Sequence, residues 1–116
     1  MDSVDFSALL NNMLDNAIEG AKSSKGKKLE VVISKQKGYD VLTIKNTIDD
    51  SVFEKNPDFI TTKTEAGHGF GMKQIQNITD QYDGMLDIYE KNGFFIISVM
   101  FFLANISPSK IFYRII

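Results

Sequence analysis

The chain has 116 residues, of which 43% are hydrophobic and 24% are charged, and these values are typical of a soluble globular domain. A chain of this length can bury about two-thirds of its surface around one core. Its 13 basic and 15 acidic residues give a net charge of −2, a balance that argues against nonspecific binding of nucleic acid. The absence of cysteine excludes disulfides and cysteine metal sites. No apolar run reaches the roughly 20 residues that a membrane-spanning helix needs.

The first predicted element is a helix over residues 5–22. Ser3 or Asp5 can cap its start, and Gly20 followed by "SSKGKK" ends it. Apolar residues recur at spacings of three and four, as in an amphipathic helix, and they are Leu10, Met13, Leu14, Ala17, Ile18 and Ala21.

The same helix carries an unusual polar stripe. At 100° per residue, Asn12, Asn16 and Glu19 fall on one face, roughly opposite the apolar face. Asparagine propagates a helix poorly, so a purely solvated surface would be better made from other residues. The stripe is therefore either ordinary surface or a set of side-chain carbonyls directed at a ligand or a hard cation such as Mg²⁺.

Residues 29–35 and 39–45 predict an antiparallel hairpin, because both alternate and the dipeptide Lys37-Gly38 between them favours a tight turn. Residues 46–66 lose this periodicity and contain Pro57. The sequence predicts a loop of about twenty residues there, and loops of this length are usually functional lids or disordered segments.

A second amphipathic helix is predicted over residues 70–82 and is closed by Asp83-Gly84. Its inner stripe consists of Met72, Ile75, Ile78, Thr79 and Tyr82. Two strands, "MLDIYEK" and "FFIISVMFF", follow and are joined by Asn92-Gly93, a strong hairpin signal. Residues 104–116 fit an extra strand, a subunit contact or an effect of the chain boundary. The order of elements predicts an α+β two-layer sandwich, with helices on one face of an antiparallel-rich sheet.

The stretch "TKTEAGHGFGMKQI" places Gly67, Gly69 and Gly71 around His68, the only histidine. Glycine lets a ligand lie close to the backbone, and a helix start near Phe70 offers free N–H groups to an anion. The alternative is a flexible turn. A Walker loop is excluded because no Gly-Lys-Ser/Thr follows, and a dinucleotide fingerprint is excluded because no strand precedes it.

Two neighbouring side chains can add positive charge to this stretch, Lys63 and His68. The residues alone leave the role of His68 open between a general base, a phosphate contact and a simple loop residue.

Five segments in this order resemble the motifs of GHKL ATP-binding domains, which have the Bergerat fold. Within that group the chain is most similar to the catalytic domain of peptide-sensing histidine kinases of the accessory-gene-regulator type. The segments are "NNMLDNAIEGA" (11–21), "IKNT" (44–47), "TTK" (61–63), "GHGFGMKQI" (67–75) and "QYDGML" (81–86). The resemblance implies an ATP-binding domain over residues 1–103, a mostly antiparallel mixed sheet without its upstream strand, and an ATP lid within residues 46–66. It leaves residues 104–116 as a tail of unknown role.

The resemblance also implies roles for individual residues. Asn16 would coordinate the Mg²⁺ that bridges the ATP phosphates, and Asn12 would be its partner, so these two are the predicted catalytic residues. Asn46 stands where most histidine kinases have an aspartate for the adenine amino group, and its amide oxygen can accept the same bond. Where many members have a glutamate on the first helix, this chain has Ala8, and Glu19 is a weak substitute. The full set of predicted ATP contacts is Asn12, Asn16, Asn46, Lys63, Gly67, His68, Gly69, Phe70, Gly71 and Met72.

A histidine kinase of this type would transfer the γ-phosphate of ATP to a histidine on the dimerisation helices of its parent protein. Those helices are not in this sequence, so we expect the chain alone to be inactive toward histidine. The expected setting is the cytoplasmic part of a bacterial quorum-sensing receptor, which contacts the membrane only through a missing N-terminal part. The expected partners are the dimerisation helices, a response regulator and, as a possible homodimer, a second copy.

Two alternatives use the same fold. A degenerate nucleotide-binding or docking module without kinase activity would explain why no glycines follow Asn46. A serine kinase of the anti-sigma-factor type is the other alternative.

Overall fold

The computed structural model describes residues 1–55, 69–102 and 114–115. The elements in chain order are helix α1 (Ser3–Lys22), strands β1 (Leu29–Gln36) and β2 (Tyr39–Thr47), the short helix α2 (Val52–Lys55), helix α3 (Gly69–Gln81), and strands β3 (Met85–Lys91), β4 (Phe94–Phe102) and β5 (Arg114–Ile115). No helix within these ranges combines the length and the apolar character that crossing a membrane requires.

The strands form one sheet in the order β3-β4-β2-β1-β5, and every pairing between described strands is antiparallel. Both predicted hairpins are confirmed. Lys37 and Gly38 have φ of 51° and 86°, and Asn92 and Gly93 have φ of 52° and 80°. Positive φ at both central residues matches the twist of the flanking strands, so each two-residue turn fixes the register of its hairpin. The pairing of β2 with β4 joins the two hairpins into one sheet.

Helices α1 and α3 pack on one face of this sheet and enclose the core. Leu9 and Met13 of α1, Met72 and Ile75 of α3, and Val99 of β4 are at most 1% exposed. Full burial of side chains of this size contributes about 1.5–3 kcal/mol each before the entropy of ordering is subtracted. The predicted α+β two-layer fold is confirmed, and the predicted inner stripe of α3 lies in the core, where Tyr82 packs against it half-buried.

Two details differ from the sequence predictions. The N-cap of α1 is Asp2, whose carboxylate accepts a hydrogen bond from the Asp5 backbone N–H at 2.8 Å. Asn46 lies inside β2 instead of opening a loop, and residues 52–55 form α2, so the start of the predicted long loop is regular structure. Within the tail, residues 114–115 pair with β1 at Val31 and Val32, in agreement with an extra strand, one of the predicted alternatives.

Candidate functional site

A row of three half-buried residues runs along α1. Asn12, Asn16 and Gly20 are spaced four residues apart, which places them one above another on the same side of a helix. We call these three residues the α1 row. From Asn12 to Gly20 the row is about 12 Å long, because a helix rises about 1.5 Å per residue.

The predicted polar stripe opposite the core is wrong in its position. The fully buried positions of α1 are Leu9, Met13, Ala17 and Ala21, whereas Ile18 is 44% exposed. Because Leu9 lies in the core and Ile18 lies outside it, the buried face of α1 is closer to Asn12 and Asn16 than the predicted apolar face. Asn12 and Asn16 are therefore half-buried at the edge of the core, whereas Glu19 is exposed.

One end of the row meets the first turn of α3, and we call it the α3 end. A Cβ atom added to Gly71 would lie 3.3 Å from Asn12 Oδ1, so the α3 backbone lies directly beside this amide. Asn12 Nδ2 donates a hydrogen bond to the Ala8 carbonyl at 2.7 Å, which orients the amide with its oxygen toward α3. The structure thus brings together Asn12 of the asparagine motif and Gly71 of the glycine motif.

The other end of the row meets strand β2, and we call it the β2 end. Asn46 is only 2% exposed, and its Nδ2 donates to the Thr47 carbonyl at 3.0 Å. A Cβ atom on Gly20 would lie 2.4 Å from that Nδ2. Because real Cβ atoms do not approach other atoms so closely, only glycine at position 20 leaves the Asn46 amide where it is.

A groove of about 210 Å³ opens beside the β2 end. Its lining combines apolar side chains, hydroxyl groups, carboxylates and one lysine from the end of α1 and the residues after it, from the 48–51 segment and from α2. It consists of Gly20, Ser23, Ser24, Ile48, Asp49, Asp50, Val52 and Lys55. The sequence did not predict this groove, because its residues come from segments that only the fold brings together. A larger cavity of about 390 Å³ lies on the opposite face of the sheet and shares no residue with the α1 row.

The remaining predicted site residues fall into two groups. Lys63, Gly67 and His68 lie outside the described residues. Gly69 and Phe70 begin α3, and the Met72 side chain is 1% exposed within the core, so this side chain cannot contact a ligand. The N–H groups at the start of a helix have no partner within it, and in α3 these include the N–H groups of residues 69–71.

The side chains of this site fit only one of the ways in which proteins bind Mg²⁺. In the described ranges, no group of three or more His, Cys, Asp or Glu side chains could hold a metal ion. Mg²⁺ is commonly bound by only one or two protein ligands together with substrate phosphates and water. An amide oxygen of Asn16 beside a phosphate-bearing ligand fits that mode, and an all-protein metal cage does not.

A separate contact joins the far ends of the two helices. The Tyr82 hydroxyl donates a hydrogen bond to the Asp5 carboxylate and accepts one from the Asp2 backbone N–H at 3.4 Å. The bond to Asp5 is the main cause that raises the pKa of Tyr82 above its usual value of 10.0. This contact lies at the opposite end of α3 from Gly71.

Comparison with known proteins identifies the family. The family model described as GHKL domain matches residues 1–102. Sensor histidine kinase DpiB of Escherichia coli (strain K12) is 26% identical over 102 residues, an overlap that covers 79% of this chain and 18% of the relative. The chain thus spans less than a fifth of the length of that curated relative. The peptide-sensing subtype stays a prediction, but the family match covers most of the chain, and the protein therefore belongs to the GHKL domain family.

Proposed function

We propose that this chain is the ATP-binding catalytic domain of a sensor histidine kinase and that it binds Mg-ATP along the α1 row. The observation that carries the proposal is the row itself. It connects the start of α3, where Gly71 lies beside Asn12, to the buried amide of Asn46 beside Gly20. Membership in the GHKL family and the similarity to a sensor histidine kinase support it.

The chemistry of the two ends sets the direction of the nucleotide. The phosphates belong at the α3 end, because unpaired N–H groups and the positive end of the helix dipole favour anions there. The adenine belongs at the β2 end. Asn46 Nδ2 already donates to the Thr47 carbonyl, so Oδ1 is the atom that accepts from the adenine amino group.

Phosphoryl transfer requires mainly positioning and neutralisation of charge. Bound Mg²⁺ would neutralise phosphate charge, and Asn16, with Asn12 beside it, would hold it. The bond between the γ-phosphorus and the β–γ bridging oxygen breaks as a bond forms to a nitrogen of the acceptor histidine, and ADP leaves. The acceptor belongs to the dimerisation helices of a longer, membrane-bound parent protein, and the domain works on the cytoplasmic side with a response regulator as the next partner.

The test is a thermal melt with and without Mg-ATP. A ligand at 100 times its Kd stabilises the folded state by about 2.7 kcal/mol, which in a domain of this size is a rise in Tm of about 10 °C. Asn16→Ala should abolish this rise. Asn11→Ala is the matched control, because it makes the same change at the neighbouring exposed position and should keep the full rise.

Two results would contradict the proposal. A wild-type chain that shows no rise in Tm at millimolar Mg-ATP is a docking module rather than an ATP-binding domain. If Asn11→Ala and Asn16→Ala lose the rise in Tm equally, the cause is a general change in the helix and not the loss of a contact from the α1 row. If ATP binds, mixing the domain with candidate acceptor proteins and testing the acid stability of the product separates phosphohistidine from phosphoserine.

A further inference from the structure

Strand β3 ends with a carboxylate on its apolar side. Leu86 and Ile88 are half-buried and pack against the core. Side chains alternate along a strand, so Glu90 lies on this same side and is also half-buried. A carboxylate in such a place is costly unless donors satisfy it, and the question is which donors do so.

Both oxygens of Glu90 accept short hydrogen bonds from the start of α2. Ser51 Oγ donates to Oε1 at 2.6 Å, and the Val52 backbone N–H donates to Oε2 at 2.6 Å. Ser51 Oγ in turn accepts from the Glu54 backbone N–H at 3.1 Å. Hydrogen bonds to an ionised acceptor are the stronger kind, so Glu90 binds the first turn of α2 to the end of the sheet.

The segment around α2 is held at further points. The Ile48 backbone N–H donates to the Gly93 carbonyl at 3.0 Å, and the Lys25 backbone N–H donates to Asp49 Oδ1 at 3.0 Å. The Phe53 ring packs on the Phe95 ring of β4 with 5.8 Å between centroids. Residues 48–55 are therefore attached to the segment that follows α1, to the β3–β4 hairpin and to the sheet.

This attached segment forms one wall of the groove at the β2 end. Ile48, Asp49, Asp50, Val52 and Lys55 line the groove, whereas Glu90 does not. We propose that Glu90 is a positioning residue for the nucleotide site, which fixes residues 48–55 as the wall beside the base without touching the ligand. This inference rests on the proposed function, since it assigns the groove to the base end of the nucleotide.

A purely structural role and a positioning role for Glu90 predict different effects when its contact with α2 is lost. None of the residues of α2 is fully buried, and Val52 and Phe53 pack only against the edge of the core, so we expect release of its first turn to leave Leu9, Met13 and Val99 buried. Loss of a positioning contact should therefore loosen residues 48–55 and weaken nucleotide binding, while the central strands keep their protection from hydrogen exchange.

The experiment compares Glu90→Gln with wild type. Glutamine offers only one acceptor atom and cannot accept both bonds. We expect the Val52 amide to exchange about tenfold faster and the Kd for Mg-ATP to rise about tenfold, the size of change that loss of a charge-assisted bond produces. Asp87→Asn is the matched control, because Asp87 is exposed on the same strand and should change neither value. Ser51→Ala removes the bond to Oε1 and the bond that Ser51 Oγ accepts from the Glu54 N–H, keeps the bond from the Val52 N–H to Oε2, and should give a change in the same direction.

The outcomes separate the two proposals. Wild-type ATP binding with an unchanged Kd in Glu90→Gln overturns the positioning role. Faster exchange throughout β2 and β4 overturns it as well, because Glu90 would then stabilise the whole fold. If Glu90→Gln does not fold, the same measurements of exchange and Kd on Ser51→Ala test the positioning role. A wild-type chain that binds no ATP defeats the proposed function, whereas exchange at Val52, measured without nucleotide, still shows whether Glu90 fixes the segment.

Discussion

The two ends of the α1 row are built in different ways. At the α3 end, one backbone approaches one side chain, and a Cβ atom on Gly71 would meet Asn12 at 3.3 Å, a tight contact. At the β2 end, a Cβ atom on Gly20 would meet Asn46 at 2.4 Å, which no side chain tolerates without movement. Asn46 is also more deeply buried than Asn12. The β2 end is therefore the more tightly fixed of the two.

This difference matters for recognition. A phosphate group accepts hydrogen bonds from several directions, so backbone N–H groups and a metal ion can bind it with some freedom. A base is recognised through individual donors and acceptors on its edge, and an error of position at Asn46 would leave a buried polar atom without a partner, which is costly. We expect substitutions at the β2 end to affect affinity more than matched substitutions at the α3 end.

Of the substitutions that compare the two ends, Gly20→Ala is expected to have the largest effect. The new methyl group must displace the Asn46 amide and break its 3.0 Å hydrogen bond to the Thr47 carbonyl. In a helix interior, alanine stabilises the helix by about 1 kcal/mol relative to glycine, and this offsets part of the loss in folding free energy. We expect Tm to change by only a few degrees and the Kd for Mg-ATP to rise about tenfold, which corresponds to about 1.4 kcal/mol. Thermal melts and calorimetric titration measure the two quantities on the same sample.

The combination of a small change in Tm and a large change in Kd is what distinguishes this prediction. A fall of Tm by more than about 10 °C would mean that the methyl group disturbs the packing of α1 on the sheet, a loss of more than about 2 kcal/mol. An unchanged Kd would show that the Asn46 amide does not contact the ligand, and the proposed placement of the base would be wrong.

A smaller effect is expected for Gly71→Ala. A Cβ at 3.3 Å requires Asn12 Oδ1 to move by a few tenths of an ångström, and the bond of Asn12 Nδ2 to the Ala8 carbonyl resists that movement. We expect the Kd for Mg-ATP to rise about threefold, which corresponds to about 0.7 kcal/mol. The ratio of the Kd values of Gly20→Ala and Gly71→Ala tests the comparison directly. A larger loss in Gly71→Ala would reverse it and place the tighter constraint at the α3 end.

Much of the fold follows from local sequence. The glycines of Lys37-Gly38 and Asn92-Gly93, with asparagine in the second pair, predict tight turns because these residues tolerate positive φ, and the residues of both pairs adopt positive φ in the structure. The stripe of α3 from Met72 to Thr79 predicts its buried side because the spacing matches the helical period. These features need no knowledge of distant residues, which is why the element order and the layer arrangement could be predicted.

The candidate site was predictable only in part, because its geometry depends on tertiary packing. Periodicity alone assigned Ile18 to the core, whereas the structure buries Leu9, so the buried face of α1 lies closer to Asn12 and Asn16 than predicted. Asn46 was expected after a strand, but β2 continues through it by pairing with β4 at Phe95. The one local signal of the groove was Glu90, a charged residue that follows Leu86 and Ile88 in the alternating pattern of β3.

The smallest effect on binding is expected for Tyr82→Phe, which is remote from both ends of the α1 row. Removal of the hydroxyl breaks its bond to Asp5 and should lower Tm slightly, while the Kd for Mg-ATP stays within about twofold. The raised pKa of Tyr82 means that the folded state favours the protonated hydroxyl. Its contribution to stability is therefore complete below the unfolded-state value of about 10 and is lost as pH rises through the higher folded-state value.

The pH dependence gives this prediction its sharpest form. The difference in Tm between wild type and Tyr82→Phe should be constant from about pH 7 to 9 and should shrink above about pH 10, because only the wild type has a proton to lose there. Tyr89→Phe is the control, since Tyr89 lies on the outer face of the sheet and should show no such convergence. A difference that persists at pH 11 would mean that the hydroxyl oxygen acts mainly through the bond it accepts from the Asp2 backbone N–H, and not through the proton it donates to Asp5. A changed Kd in Tyr82→Phe would mean that the Tyr82 end of α3 is coupled along the helix to the nucleotide site. The α3 end of the row would then depend on distant contacts, as the β2 end does.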